Sequence, residues 1–193
     1  MKMGRMILLA DALNTTVGFK LLKKKLKKEN LQNKTIYLFY EPYFFNEQRL
    51  KESCIKLGFQ EANIVLSSER GADQRISSAD YVYVTEGNVY EILKILQERG
   101  LIKKIQNTMR KDTVYIGASA GSMIAGKDIV LAKDFDENQV QLENLKALGL
   151  INGIVIPHYT KEELRNYIQN SEPSIIQRYP KIYSVNNGEI LVL

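Results

Sequence analysis

Cysteine and histidine are nearly absent: the chain has one of each, Cys54 and His158, among 193 residues. A single thiol excludes an internal disulfide framework and fits a reducing compartment. One thiol and one imidazole also leave no set of ligands for zinc, so neither a metal nor any other cofactor is expected. Long apolar runs are missing too. No stretch approaches the roughly 18 to 20 residues of a membrane span. The short apolar segment before Asp11 is too brief for a signal peptide and reads as a buried strand. The expected setting is the cytoplasm, with no membrane partner.

Acidic residues are in slight deficit, 22 against 27 lysines and arginines, for a net charge of +5. Much of the excess sits in one run, Lys20, Lys23, Lys24, Lys25, Lys27 and Lys28. Phe19, Leu22 and Leu26 recur inside that run at helical spacing, so the lysines ring the solvent side of an amphipathic helix. Nucleic-acid recognition would require basic residues interleaved with exposed aromatics or a known motif, and none is expected as a partner. Hydrophobic residues at 45% and charged residues at 25% are ordinary globular usage. The length suits one domain, 1–193.

What is present is alternation. Apolar runs at Arg5–Ala10, Thr35–Tyr40, Ala62–Leu66, Tyr81–Thr85, Thr113–Ile116 and Gly153–Ile156 predict strands. Between them lie helical patterns at Phe19–Lys28, Asn46–Leu57, Asn88 to Gly100, Ala120–Ala125 and Lys161–Ile168. Cys54 falls on the apolar face of the second helix and reads as packing. The tail, IYSV followed by Asn-Asn-Gly and EILVL, predicts a hairpin. Strands alternating with helices predict a single-domain α/β fold, a largely parallel sheet with helices on both faces.

The sharpest motif is Gly117-Ala118-Ser119-Ala120-Gly121, a G-x-S-x-G pattern between an apolar strand and a helical stretch. A serine on such a tight turn is exposed as a nucleophile, and small neighbours let the turn close. The N–H after the serine and the start of the helix face a developing oxyanion. The lysine of a phosphate-binding loop is missing. His158, at the end of the strand GIVIP, is the available base, and both residues lie beyond carboxyl ends of strands, where open α/β sheets gather chemistry. The third member of a triad is a carboxylate that fixes the imidazole tautomer. Asp134, Asp136 and Glu137, in KDFDE, are the candidates between serine and histidine, and position alone does not choose among them.

These residues resemble the aspartyl dipeptidase (peptidase E) and cyanophycinase family of serine peptidases. The similarity runs from about Tyr81 to Asn187 through YVYVTEGNVYEIL, YIGASAGSMIAG, the Asp134 loop, IPHY and YSVNNGEILVL. It implies a class I glutamine amidotransferase-like, flavodoxin-like three-layer sandwich. By the family spacing the acid is Asp134, and the oxyanion donors are the N–H groups of Gly87 and Ala120. The activity implied is hydrolysis of small peptides by a Ser119–His158–Asp134 triad through an acyl-enzyme, in a monomer or homodimer. Asn88 matches the asparagine of a Gly-Gly-Asn loop, and Arg165 is the nearest counterpart of an arginine that reads acidic substrates.

Two departures stand out. Glu86 replaces the first glycine of that loop, and Val89 replaces a threonine. A carboxylate about 6 Å from a developing oxyanion costs roughly 2.8 kcal/mol at an effective dielectric near 20. Glu86 must therefore turn away, be neutralised, or pair with a substrate α-amine at the rim. A serine esterase or amidase on the same triad is one alternative. A silent binding protein is the other, resting on Glu86 and on relatives that continue past the position of Leu193.

Overall fold

A computed structural model describes residues 4–43, 45–109 and 112–193. The apolar runs form β1 (Met6–Leu9), β2 (Ile36–Phe39), β3 (Ile64–Leu66), β4 (Tyr81–Val84) and β5 (Val114–Ala118). These five lie parallel in a six-stranded sheet of order β3-β2-β4-β5-β1-β8, and β8 (Ile190–Val192) runs antiparallel to β1 at one edge. The first five strands are buried end to end because helices cover both faces, which is why they read as continuous apolar runs.

Alternate residues feed two cores. Ile7, Leu9, Leu38, Tyr83 and Ile116 pack with α1 (Thr16–Leu26) and α2 (Glu47–Leu57) through Leu22, Leu26, Leu50 and Cys54. Burial pushes the Cys54 thiol up to about 12, so it is inert packing. Leu8, Tyr37, Phe39, Val82, Val84 and Tyr115 face the other core. There they meet α4 (Val89–Glu98), α5 (Leu101–Thr108) and α6 (Ala120–Ile124), with the short α3 (Ala72–Arg75) beside them. The helix α5, which no sequence pattern had flagged, follows Gly100 in a left-handed conformation at φ 64°.

The tail departs from expectation. The strand β6 (Ile154–Pro157) lies outside the main sheet and pairs in parallel with β7 (Ile182–Val185), across a connection that holds α7 (Lys161–Asn170) and α8 (Pro173–Ile176). The expected hairpin is not formed. A turn closed by the Glu189 N–H donating to the Asn186 carbonyl at 3.0 Å links β7 of the small sheet to β8 of the large one. The edges of β6 and β1 take the backbone groups that β7 and β8 would otherwise have shared. Among the described residues no helix is long and apolar enough to cross a membrane.

Candidate active site

The elbow is built by backbone contact. Ser119, after β5, has φ 46° and ψ −110°, a conformation that side-chain-bearing residues rarely adopt. Its N–H donates to the Leu9 carbonyl at 3.0 Å, and the Gly121 N–H to the Thr85 carbonyl at 3.2 Å. A Cβ on Gly121 would lie 2.1 Å from the Val84 carbonyl oxygen, and one on Gly117 would lie 2.6 Å from that of Gly121. Both glycines of the motif are therefore required by close approach. Ser122 is a structural hydroxyl: its Oγ lies 2.7 Å from the carbonyls of Leu9 and Gly117 and accepts the Leu9 N–H at 3.1 Å.

The histidine arrives from the small sheet. His158 follows β6 with φ 64°, and its N–H donates to the Val185 carbonyl at 2.8 Å. Its Nε2 lies 2.9 Å from Ser119 Oγ. Its Nδ1 lies 2.8 Å from Asn187 Oδ1.

Asp134 does not reach this ring. Its Oδ2 accepts the Tyr167 hydroxyl from α7 at 2.6 Å, so the residue expected to orient the base instead ties its own loop to the following helix. Asn187 takes the place beside Nδ1 because β6 and β7 run side by side. Pro157 pairs with Val185, so the residues just beyond each meet at the same edge. In the sequence Asn187 reads as a turn residue. The pairing of two strands so far apart in the chain has no local signal.

Neither alternative carboxyl takes that place. Asp136 Oδ2 accepts the Val89 N–H at 2.9 Å at the start of α4, where the free N–H groups of a helix favour a carboxylate. Glu137 Oε2 accepts a side-chain N–H of Gln139 at 3.1 Å. Asn88 is a brace. Its Oδ1 caps the N–H groups of Tyr90 and Glu91, and its Nδ2 donates to the Glu137 carbonyl at 3.0 Å. Phe135, between these anchors, packs on Tyr159 and Tyr167 at ring distances of 5.4 and 5.8 Å. The acidic loop thus links the segment after Gly87 to the segment after His158.

Glu86 Oε1 accepts the Ala12 N–H at 2.9 Å beyond β1, and its Oε2 is enclosed without a hydrogen bond among the described residues. Burial raises its pKa above the usual carboxylate value; backbone N–H donors pull it back, and Asp11 pushes it further up. Gly87, beside it, has φ 141°, open to glycine alone. The N–H groups of Gly87 and Ala120 donate to no protein acceptor among the described residues. Arg165 stands exposed on α7, in no hydrogen bond or ion pair among the described residues. No cluster of histidine, cysteine and carboxylates among the described residues could hold a metal.

The model of "Peptidase family S51" matches residues 40–193. The Listeria monocytogenes protein named "Uncharacterized peptidase Lmo0363" is 28% identical over 178 residues, covering 86% of this chain and 85% of its own. A "Peptidase E" from Citrobacter koseri is 35% identical over 85 residues, covering 44% of this chain and 36% of its own. A crystal structure from Listeria monocytogenes EGD-e, provisionally assigned to peptidase E, covers 100% of this chain and 98% of its own. It superposes with a TM-score of 0.72 at 23% identity. That last likeness establishes the fold.

Proposed function

The chain belongs to peptidase family S51, and from that membership we propose that it is a serine-type dipeptidase with Ser119 as nucleophile and His158 as base. The observation that carries this reading is the 2.9 Å approach of Ser119 Oγ to His158 Nε2, made from a strained elbow. Oγ attacks the scissile carbonyl carbon while Nε2 takes the hydroxyl proton. The tetrahedral oxyanion lies toward the N–H groups of Gly87 and Ala120, and one such donor is worth about a hundredfold to a thousandfold in rate. The imidazolium then returns its proton to the leaving amine as the C–N bond breaks. Water, deprotonated by the same nitrogen, releases the acyl group.

Glu86 Oε1 is held on the Ala12 N–H, and burial raises its pKa above the usual carboxylate value. The substrate is a small peptide, and the lone buried Cys54 suits a reducing, cytoplasmic setting.

A fluorophosphonate probe tests the reading. Labelling is expected at Ser119 and absent in Ser119→Ala, with the far-UV spectrum unchanged. A folded wild-type sample that takes no label, or takes it at Ser122, would remove the proposal.

A further inference from the structure

The lysine run of α1 takes no part in the chemistry at Ser119, and the fold sets it against a second helix. Two adjoining cavities of about 440 and 520 Å³ lie between α1 and α2 and share Leu13, Asn14, Ser53 and Lys56 on their walls. Together they form one groove. Each helix leaves the carboxyl end of a parallel strand, so the capping residues Thr15 and Asn46 open the groove at the same edge of the sheet. From Thr16 to Lys23 on one wall and from Arg49 to Lys56 on the other, it runs about 10 Å along the helices. Leu13, Phe19, Phe45 and Leu50 supply its apolar lining. Its cations are Lys20, Lys23, Arg49 and Lys56, all exposed. Among the described residues none of their side chains joins an ion pair or a hydrogen bond. The carboxylate on the wall, Glu52, accepts a side-chain N–H of Gln48 at 3.2 Å.

We propose that this groove docks an acidic segment of a partner protein. Cations from both helices face a single trough, so a negatively charged chain lying in it meets complementary charge on each side. The lined length matches about three residues of extended chain at roughly 3.3 Å each. Carboxylates of such a strand reach the cations while its apolar stems lie over the lining. Single-stranded nucleic acid would want an open aromatic face on which to stack a base. The Lys23 ammonium already lies over the Phe19 ring, 5.8 Å from its centroid, and an acidic polypeptide needs no such face. A trough between helices also suits a chain better than the flat surface of a bilayer. The groove lies beside the catalytic site and shares its β1–α1 loop. There the Ala12 N–H donates to Glu86 Oε1 and the Leu13 N–H to the Tyr83 hydroxyl at 3.4 Å.

The probe is fluorescein-labelled decaglutamate, titrated with the full chain and with Ser119→Ala at low salt and read by fluorescence anisotropy. Both proteins are expected to bind it equally, with affinity falling about tenfold or more toward 1 M salt, where exposed charges are screened. Lys23→Glu/Lys56→Glu, one reversal on each wall, is expected to weaken binding about tenfold or more. Lys25→Glu/Lys28→Glu makes the same change in net charge at exposed positions outside the groove and should stay within about threefold of wild type. An unweakened Lys23→Glu/Lys56→Glu, or equal losses in the two double variants, would overturn the proposal. So would tighter binding of an oligouridylate or of phosphatidylserine vesicles than of decaglutamate, or no binding of decaglutamate by folded wild type. Far-UV spectra check the fold, and Lys20→Glu/Arg49→Glu repeats the test on the same two walls should the first pair fail to fold. Because the readout does not pass through Ser119, failure here leaves the serine-peptidase reading standing, and failure of that reading leaves the groove.

Discussion

The two halves of the site are made differently. Ser119 sits at the end of a central strand, with β4 and β1 on either side and glycines that admit no side chain. Backbone contact fixes it from several directions. His158 and Asn187 sit on a two-stranded sheet, both exposed, and are held by one backbone hydrogen bond and a few polar side chains. The nucleophile half is determined by packing, where one atom too many is fatal. The base half is determined by hydrogen bonds, where a change of atom type alters chemistry before it alters stability.

The strongest test of that contrast is Gly121→Ala. The added methyl would overlap the Val84 carbonyl. The expected destabilisation is about 3 kcal/mol, read as a lower urea midpoint with an unchanged slope. An unaltered midpoint would show that the elbow has room, and the contrast would dissolve.

A smaller effect is expected where side chains do the holding. Asp134→Asn makes the acceptor of the Tyr167 hydroxyl neutral and Tyr167→Phe removes the donor, each weakening the tie between the acidic loop and α7. Each should destabilise by about 1 kcal/mol and leave kcat/KM within about threefold, against the roughly 10⁴-fold that follows loss of a triad carboxylate. A loss of that larger size in Asp134→Asn would return the acid's role to Asp134.

The smallest effect concerns Glu86 and depends on pH. Its folded-state pKa lies above the ordinary value, chiefly through burial. Folding therefore favours the protonated form, and the stability this contributes is present below the ordinary pKa and lost as pH rises through the raised one. Glu86→Gln, which cannot ionise, should match wild type near pH 4 and become the more stable of the two toward pH 8. The difference should stay below about 1 kcal/mol. Thermal melts across that range measure it, and a constant difference would place the carboxylate in solvent.

Much of the molecule was legible because its cues are local. Asn46 and Asn88 open two of the helical patterns, and their side-chain oxygens accept N–H groups in the first turns of α2 and α4. The five parallel strands were legible because burial on both faces forces unbroken apolar runs. The acidic loop was misleading for a physical reason. A carboxylate between serine and histidine in sequence looks available to the ring, yet Tyr167, a turn and a half along α7, claims it in space.

By itself the sequence determined the alternating α/β order, the glycine-framed Ser119 turn and His158 at a strand end. Each follows from hydrophobic period, steric size or residue type within a few positions. Only the tertiary structure decided that β7 lies against β6 and β8 against β1, and hence that an asparagine faces the histidine. That outcome rests on hydrogen-bond pairing between strands separated by a long connection. No local preference of Asn187 encodes such pairing, because it is set by which edges the packed sheets leave open.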